Sequence, residues 1–307
     1  MQVAAFCLMC LIWGLTWLAM KAGIATVPPL MFAGTRFVVA GSVLTAFCLV
    51  CGVPLPTARD ILLRLTGVTL LMVVATYGLV FWGMLFVPSG LSAVLDLAIM
   101  PVALLVIGAL LGEEKLDRRR VAAIGVGTLG LLLLFGPKAV GAAAGTRDEL
   151  AGAVAILASS VAYAWGSVLA RPLLRRCRPE ALAGATTVAG GTALVLIAVA
   201  FEPGAAKALR GAWGLQAWLG WLFLVLFGSL AAYTIYLRLL RDWGPVRAGS
   251  YAFVSPVIAV LVGILVLHER VSLLDVLGMA AMLAGARLCV PVPDVGAVPA
   301  TTQKRTA

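Results

Sequence analysis

Ten times along this chain of 307 residues, an apolar run about one bilayer long is interrupted by charges or by proline and glycine. The runs are roughly 3–24, 29–51, 62–86, 89–111 and 120–136, then 149–171, 180–201, 213–239, 246–267 and 272–291. A helix needs about 20 residues to cross the hydrocarbon core. Because no water there satisfies backbone groups, runs of this length are predicted as helices. The period-two alternation of a membrane β-barrel is missing from them. Composition agrees: 63% of the residues are hydrophobic and 12% charged, where a soluble domain carries about 25% charge. A soluble enzyme, a nucleic-acid-binding protein and a disordered chain are excluded on this ground. The first run has no basic n-region and is about 20 residues long, so it reads as a retained helix rather than a signal peptide.

The net charge of +10 then becomes a statement about orientation. With the N-terminus in the cytoplasm, Arg59, Arg64, Lys115, Arg118, Arg119, Arg120, Arg171, Arg175, Arg176, Arg178, Arg238, Arg241, Arg247, Arg287, Lys304 and Arg305 fall inside. Lys21, Lys138, Arg147, Lys207, Arg210 and Arg270 fall outside, and Arg36 lies within a span. Sixteen against six is a positive-inside bias that puts both termini in the cytoplasm.

A weak internal repeat divides the chain. At a shift of 155, Pro101 falls on Pro256, Gly108 on Gly263, Glu114 on Glu269 and Gly130 on Gly285. At slightly smaller shifts, Ala33-Gly34 meets Ala183-Gly184 and Trp13-Gly14 meets Trp165-Gly166. The layout is a first five-helix repeat over 1–136, a linker over 137–148, a second five-helix repeat over 149–291 and a cytoplasmic tail over 292–307. Five is odd, so the second half enters the membrane upside down. Inverted repeats of this kind build secondary transporters, with the substrate site near the midplane between the halves.

Trp13-Gly14, Arg36, Pro101 with Gly112-Glu113-Glu114, and Pro256 with His268-Glu269-Arg270, Gly278 and Gly285 together resemble the EamA-type drug/metabolite transporter family. The likeness covers about residues 1–291. It implies an all-α integral membrane protein of ten helices that moves small metabolites across a bacterial inner membrane. Within the family the chain is most similar to the YddG-type exporters, which handle aromatic amino acids. It departs from the family pattern where Ala123 stands in place of the glycine matched by Gly278, and it has no second-half counterpart of Arg36.

Lys21, Arg36 and Asp96 are the ionisable residues placed inside the membrane. An unpaired charge there costs at least ~2.5–3.5 kcal/mol, so Asp96 is expected to pair with Arg36 or Lys21. A structural ion pair with Lys21 snorkelling outward competes with a substrate or proton site. Trp13, Trp17, Tyr163, Trp165, Tyr233 and Tyr251 lie deeper than interfacial anchors belong. Thr16 accompanies Trp13 and Trp17, and Tyr77 with Phe81 and Tyr251 with Ser255 repeat the i, i+4 spacing. Around a shared cavity these residues would form an aromatic box with polar handles for a planar or hydrophobic solute; ordinary helix packing is the alternative for each alone. Pro101 and Pro256, mid-span at matching positions, are candidate hinges, because each frees a carbonyl one turn earlier. Trp82, Trp213, Trp218, Trp221 and Trp243 read as interfacial anchors. Gly108 and Gly112 read as a close-packing GxxxG pair.

The spacing of Cys7/Cys10 and Cys48/Cys51 invites a zinc reading, but neither pair has the turn residues of a knuckle, so no metal and no cofactor is expected. With no nucleotide or HExxH motif present, the leading reading is a secondary transporter exporting aromatic or neutral amino acids by alternating access. Efflux of amphipathic drugs is the nearest alternative, with a lipid-modifying membrane enzyme or a channel behind it. The partners implied are a small-molecule substrate and the lipid bilayer, not nucleic acid; monomer and oligomer both remain open.

Overall fold

The computed structural model describes residues 2–142, 145–267 and 272–289, which form helices and turns with no strand among them. The helices are α1 (Gln2–Ile24), α2 (Pro29–Val50), α3 (Arg59–Phe86), α4 (Ser89–Leu110), α5 (Arg118–Ala142), α6 (Arg147–Leu174), α7 (Pro179–Phe201), α8 (Leu215–Trp243), α9 (Tyr251–Leu267) and α10 (Leu273–Cys289). Short helices, Ala205–Ala208 and Pro245–Gly249, precede α8 and α9. The first eight of the long helices are long and apolar enough to cross a membrane. The last two have 17 residues each.

Their ends are set by local chemistry. Pro29 and Pro179 open α2 and α7, where a missing amide proton costs nothing. Thr146 caps α6: its Oγ1 accepts from Glu149 N at 3.2 Å while Glu149 Oε2 accepts from Gly145 N at 2.9 Å. Ser272 and Asp275 make the same reciprocal box at the start of α10. The helix expected to stop at 136 instead continues through Pro137 to Ala142, so part of the supposed linker is helical. Gly112, at φ +73°, ends α4, and the Gly108 carbonyl accepts from Glu113 N and Glu114 N. These glycines therefore terminate a helix and do not pack one against another.

Close packing is done by other glycines. A Cβ on Gly34 of α2 would lie 3.0 Å from the Gly191 oxygen of α7, and one on Gly191 would lie 2.9 Å from the Gly34 oxygen. The α5–α10 crossing is reciprocal in the same way: 2.6 Å from Gly130 to the Gly278 oxygen and 2.8 Å from Gly278 to the Gly130 oxygen. Lipid tails are as apolar as leucine, so dispersion across such backbone contacts, rather than expulsion from water, holds helices together.

Two departures from α-geometry went unforeseen. Residues Leu70–Ala75 of α3 and Leu224–Ala232 of α8 are π-helical. The Thr76 hydroxyl donates to the Leu71 carbonyl five residues back, at 2.7 Å, across the first of these segments.

Gly130→Leu is expected to destabilise the protein by about 1–3 kcal/mol through overpacking, read as a lower unfolding midpoint in detergent. Gly125→Ala, with open space around its Cβ, serves as the control and should stay within about 0.5 kcal/mol.

Candidate functional site

A cavity of about 330 Å³ lies where helices from both parts of the chain meet. Its wall comes from Trp13, Thr16 and Trp17 of α1, Arg36 and Phe37 of α2, Thr76 and Tyr77 of α3, and Ala93, Asp96 and Met100 of α4. Phe135, Tyr163, Ser229, Tyr233, Tyr251, Ser255 and Pro256 complete it. The two π-helical segments border this space. Ser229 lies within the second, while Thr76 and Tyr77 follow the first and Tyr233 follows the second. An extra residue per turn rotates the next side chains around the helix, which is how π-segments re-aim residues at functional sites.

The floor is aromatic. The rings of Trp13 and Tyr251 meet edge-on at 4.4 Å, and Tyr236 packs against Trp13 at 5.3 Å and Tyr163 at 5.5 Å. Tyr236 is fixed by donating its hydroxyl proton to Ser167 Oγ at 2.9 Å. The hydroxyls of Tyr233 and Thr186 pair at 3.3 Å. The buried hydroxyl of Tyr163 has no hydrogen-bond partner, although it lines the cavity. Buried polar groups are normally satisfied, so this one is available to a solute.

Above the floor stand two charges. Arg36, 3% exposed, lays its guanidinium against the rings of Phe37, Tyr77 and Phe81 at 4.4, 4.9 and 5.6 Å. Cation–π contacts of this kind are worth more when desolvated. Its Nε has no hydrogen-bond partner. Asp96 accepts from the Ser160 hydroxyl at 2.6 Å. The expected pairing of Asp96 with Arg36 or Lys21 is not made: Asp96 meets Ser160, and Lys21 meets a backbone carbonyl. Lys21 is exposed and reaches the Met84 carbonyl at 3.5 Å, because its long stem extends toward the end of α1 rather than into the bundle.

One end of the bundle is closed by ions. The carboxylate of Glu113 accepts from Arg171 at 2.9 Å and Arg175 at 2.8 Å, tying the α4–α5 turn to the end of α6. Glu114 pairs with Arg120 and accepts from Val246 N at 3.3 Å. Glu180 pairs with Arg238, and Gln2 bonds to Asp242 and Trp243. At the other end Glu202 caps α2, accepting from Leu30 N at 2.8 Å and Met31 N at 3.0 Å. There the cavity reaches Leu18 and Gly90, both exposed.

Of the residues singled out in the sequence, Trp13, Thr16, Trp17, Tyr77, Asp96, Tyr163, Tyr233, Tyr251 and Ser255 share this cavity. Phe81 is buried behind it, supporting Arg36. Trp165 is 48% exposed and points away, because its position on α6 is two residues, roughly 200°, from Tyr163. Pro256 lines the cavity and Pro101 is buried outside it; both lie within continuous helix. The break in the second half falls earlier, at Ser250, between the short helix and α9. Trp213, read as an anchor, is buried: its Nε1 donates to the Ala208 carbonyl at 2.6 Å and its ring stacks on Trp218 at 4.5 Å. Glu113, part of the Gly112-Glu113-Glu114 motif, is an interhelix clamp. His268, Glu269 and Arg270 lie outside the described residues. Tyr236 and Ser229 were missed; Tyr236 sits three residues after Tyr233, on the same helix face, which was the available signal. The six cysteines are free, and among the described residues no group of three potential ligands converges on a metal site.

Ser160→Ala removes the hydroxyl that meets Asp96, leaving a partly buried carboxylate without its donor. The expected loss is about 1–3 kcal/mol, measured as a lower unfolding midpoint in detergent, whereas Ser160→Thr should retain most of it. An unchanged midpoint in Ser160→Ala would mean that this bond stabilises nothing.

The sequence and fold have counterparts in known proteins. The chain is 32% identical over 275 residues to the uncharacterized inner membrane transporter YedA of Escherichia coli (strain K12), covering 89% of this chain and 85% of that one. It is 26% identical to the uncharacterized transporter YoaV of Bacillus subtilis (strain 168), covering 90% and 91%. A probable amino-acid metabolite efflux pump of Escherichia coli (strain K12) is 24% identical, covering 91% of each. A crystal structure matches with a TM-score of 0.76 over 94% of this chain and 95% of that one, at 21% identity, which is a likeness of fold. The model of the EamA-like transporter family matches residues 1–136 and again residues 150–290. With that coverage, this chain belongs to the EamA-like transporter family, and it is a transporter rather than an enzyme.

Proposed function

We propose that this protein exports aromatic or neutral amino acids, or closely related metabolites, across the inner membrane by alternating access. The observation that carries this reading is the aromatic cavity with few polar groups, built jointly by residues from both family-matched parts of the chain. Its size is at the lower end of small-molecule sites, about 300–1,000 Å³. The name of the efflux pump relative points the same way. In this reading α1–α5 and α6–α10 are inverted five-helix repeats giving ten spans. The reciprocal glycine crossings and the matching π-segments support that symmetry. The end rich in arginine, closed by Glu113, Glu114 and Glu180, is cytoplasmic, as are both termini. The cavity therefore faces outward here, and the arginine–carboxylate contacts are what must separate for it to open inward. Transport of an aromatic solute would use the floor of Trp13, Tyr163 and Tyr251 as its stacking surface, and Pro256 as a bending point of α9.

Two measurements test this. In proteoliposomes, uptake of labelled phenylalanine, tryptophan, leucine and glutamate should rank the aromatic and neutral amino acids first. Uptake of a lipophilic cation with no amino-acid uptake would replace this reading with drug efflux. In spheroplasts, Cys51, exposed beyond the end of α2, should resist an impermeant maleimide until the membrane is permeabilised. Labelling of Cys51 from outside would reverse the orientation.

A further inference from the structure

Arg36 and Asp96 stand at one level of the cavity. Each is seven residues into its helix, from Pro29 in α2 and from Ser89 in α4, which is about 10 Å below the open end. Both helices begin at that end. Tyr77 lines the same cavity, its ring 4.9 Å from the Arg36 guanidinium, while Asp96 meets Ser160 and not Arg36. A guanidinium and a carboxylate at membrane depth that do not pair with each other are costly. Mutual neutralisation would have removed that cost, and the fold instead holds each apart. Arg36 is propped on three rings with an orphaned Nε, and Asp96 is aimed by Ser160.

We infer that Arg36 and Asp96 are the two poles of a recognition site for the free α-amino-acid head group, Arg36 taking the carboxylate and Asp96 the ammonium. This rests on the amino-acid reading above and says which part of the substrate is read by charge. The planar guanidinium suits a carboxylate, and the aromatic floor below both poles takes the side chain. A lipophilic cation would leave Arg36 unmatched, and an organic anion would leave Asp96 unmatched. A zwitterion satisfies both at once. Removing one partner of a desolvated charge pair is penalised strongly because the other is left buried alone, so the site discriminates against molecules that carry a single charge.

The test uses wild-type proteoliposomes taking up labelled L-phenylalanine, with competition by phenethylamine, which lacks the carboxylate, and by 3-phenylpropionate, which lacks the ammonium. Unlabelled L-phenylalanine should compete, and each analogue should be on the order of 30-fold weaker or worse. Arg36→Met and Asp96→Asn should each lower uptake by a similar factor, with Arg36→Lys retaining more than Arg36→Met. If both analogues compete as well as L-phenylalanine, the two-pole site is wrong while amino-acid transport stands. If wild type takes up no amino acid at all, the transport reading falls and this inference with it. Should the variants fail to fold, competition on the wild-type protein decides alone.

Discussion

Backbone-to-backbone crossings at paired glycines hold this molecule together. In hydrocarbon, helices gain nothing by hiding apolar side chains from neighbours that are equally apolar, so association depends on how closely surfaces approach. Gly34 against Gly191, and Gly130 against Gly278, bring carbonyls to where a Cβ would stand. The α2–α7 and α5–α10 contacts are thereby tight, as is α3–α6, where a Cβ on Gly83 would lie 2.7 Å from the Gly152 oxygen and one on Gly152 would lie 2.9 Å from the Gly83 oxygen.

The cavity has an unequal interior. Its floor is a ring of tyrosines and a tryptophan fixed by edge-on contacts and by the Tyr236–Ser167 bond. Its upper wall carries an arginine held by aromatic faces and an aspartate held by a serine. Below the floor the bundle is sealed by carboxylates of one segment paired with arginines of another, Glu113 with Arg171 and Arg175 at the end of α6 and Glu180 of α7 with Arg238 of α8. Partly exposed ion pairs are individually weak, worth ~0–1 kcal/mol. A seal made of several such pairs can open without disturbing the glycine crossings, which is the division of labour a transporter needs.

Much of this was legible in the sequence because the bilayer leaves few choices. Run lengths forced helices, and the aromatic positions at i, i+4 spacing placed Trp13, Trp17 and Tyr77 on the cavity wall. Other features were hidden for physical reasons. The π-segments at Leu70–Ala75 and Leu224–Ala232 lie inside uniformly apolar runs, where nothing in residue type signals a change of winding. Trp165 turned outward because depth along a helix can be read from sequence more easily than facing. Charge pairing was mistaken for the same reason. Asp96 was placed at the right depth, but cost arguments favour any nearby partner, and only the packing of α4 on α6 shows that Ser160 is the one that meets it. The bonds of Glu202 and Glu113 to other helices likewise appear only in three dimensions.

The central claim is that a zwitterionic solute with an aromatic side chain lies between Arg36 and Asp96 with its ring on the tyrosine floor. A structure of the purified protein determined with L-tryptophan bound tests it most directly. The account predicts density for the solute in this cavity, its carboxylate within hydrogen-bond distance of Arg36, its ammonium at Asp96 and its indole against Trp13 and Tyr251. Density with the head group turned toward the floor, or a solute bound elsewhere in the bundle, would contradict it.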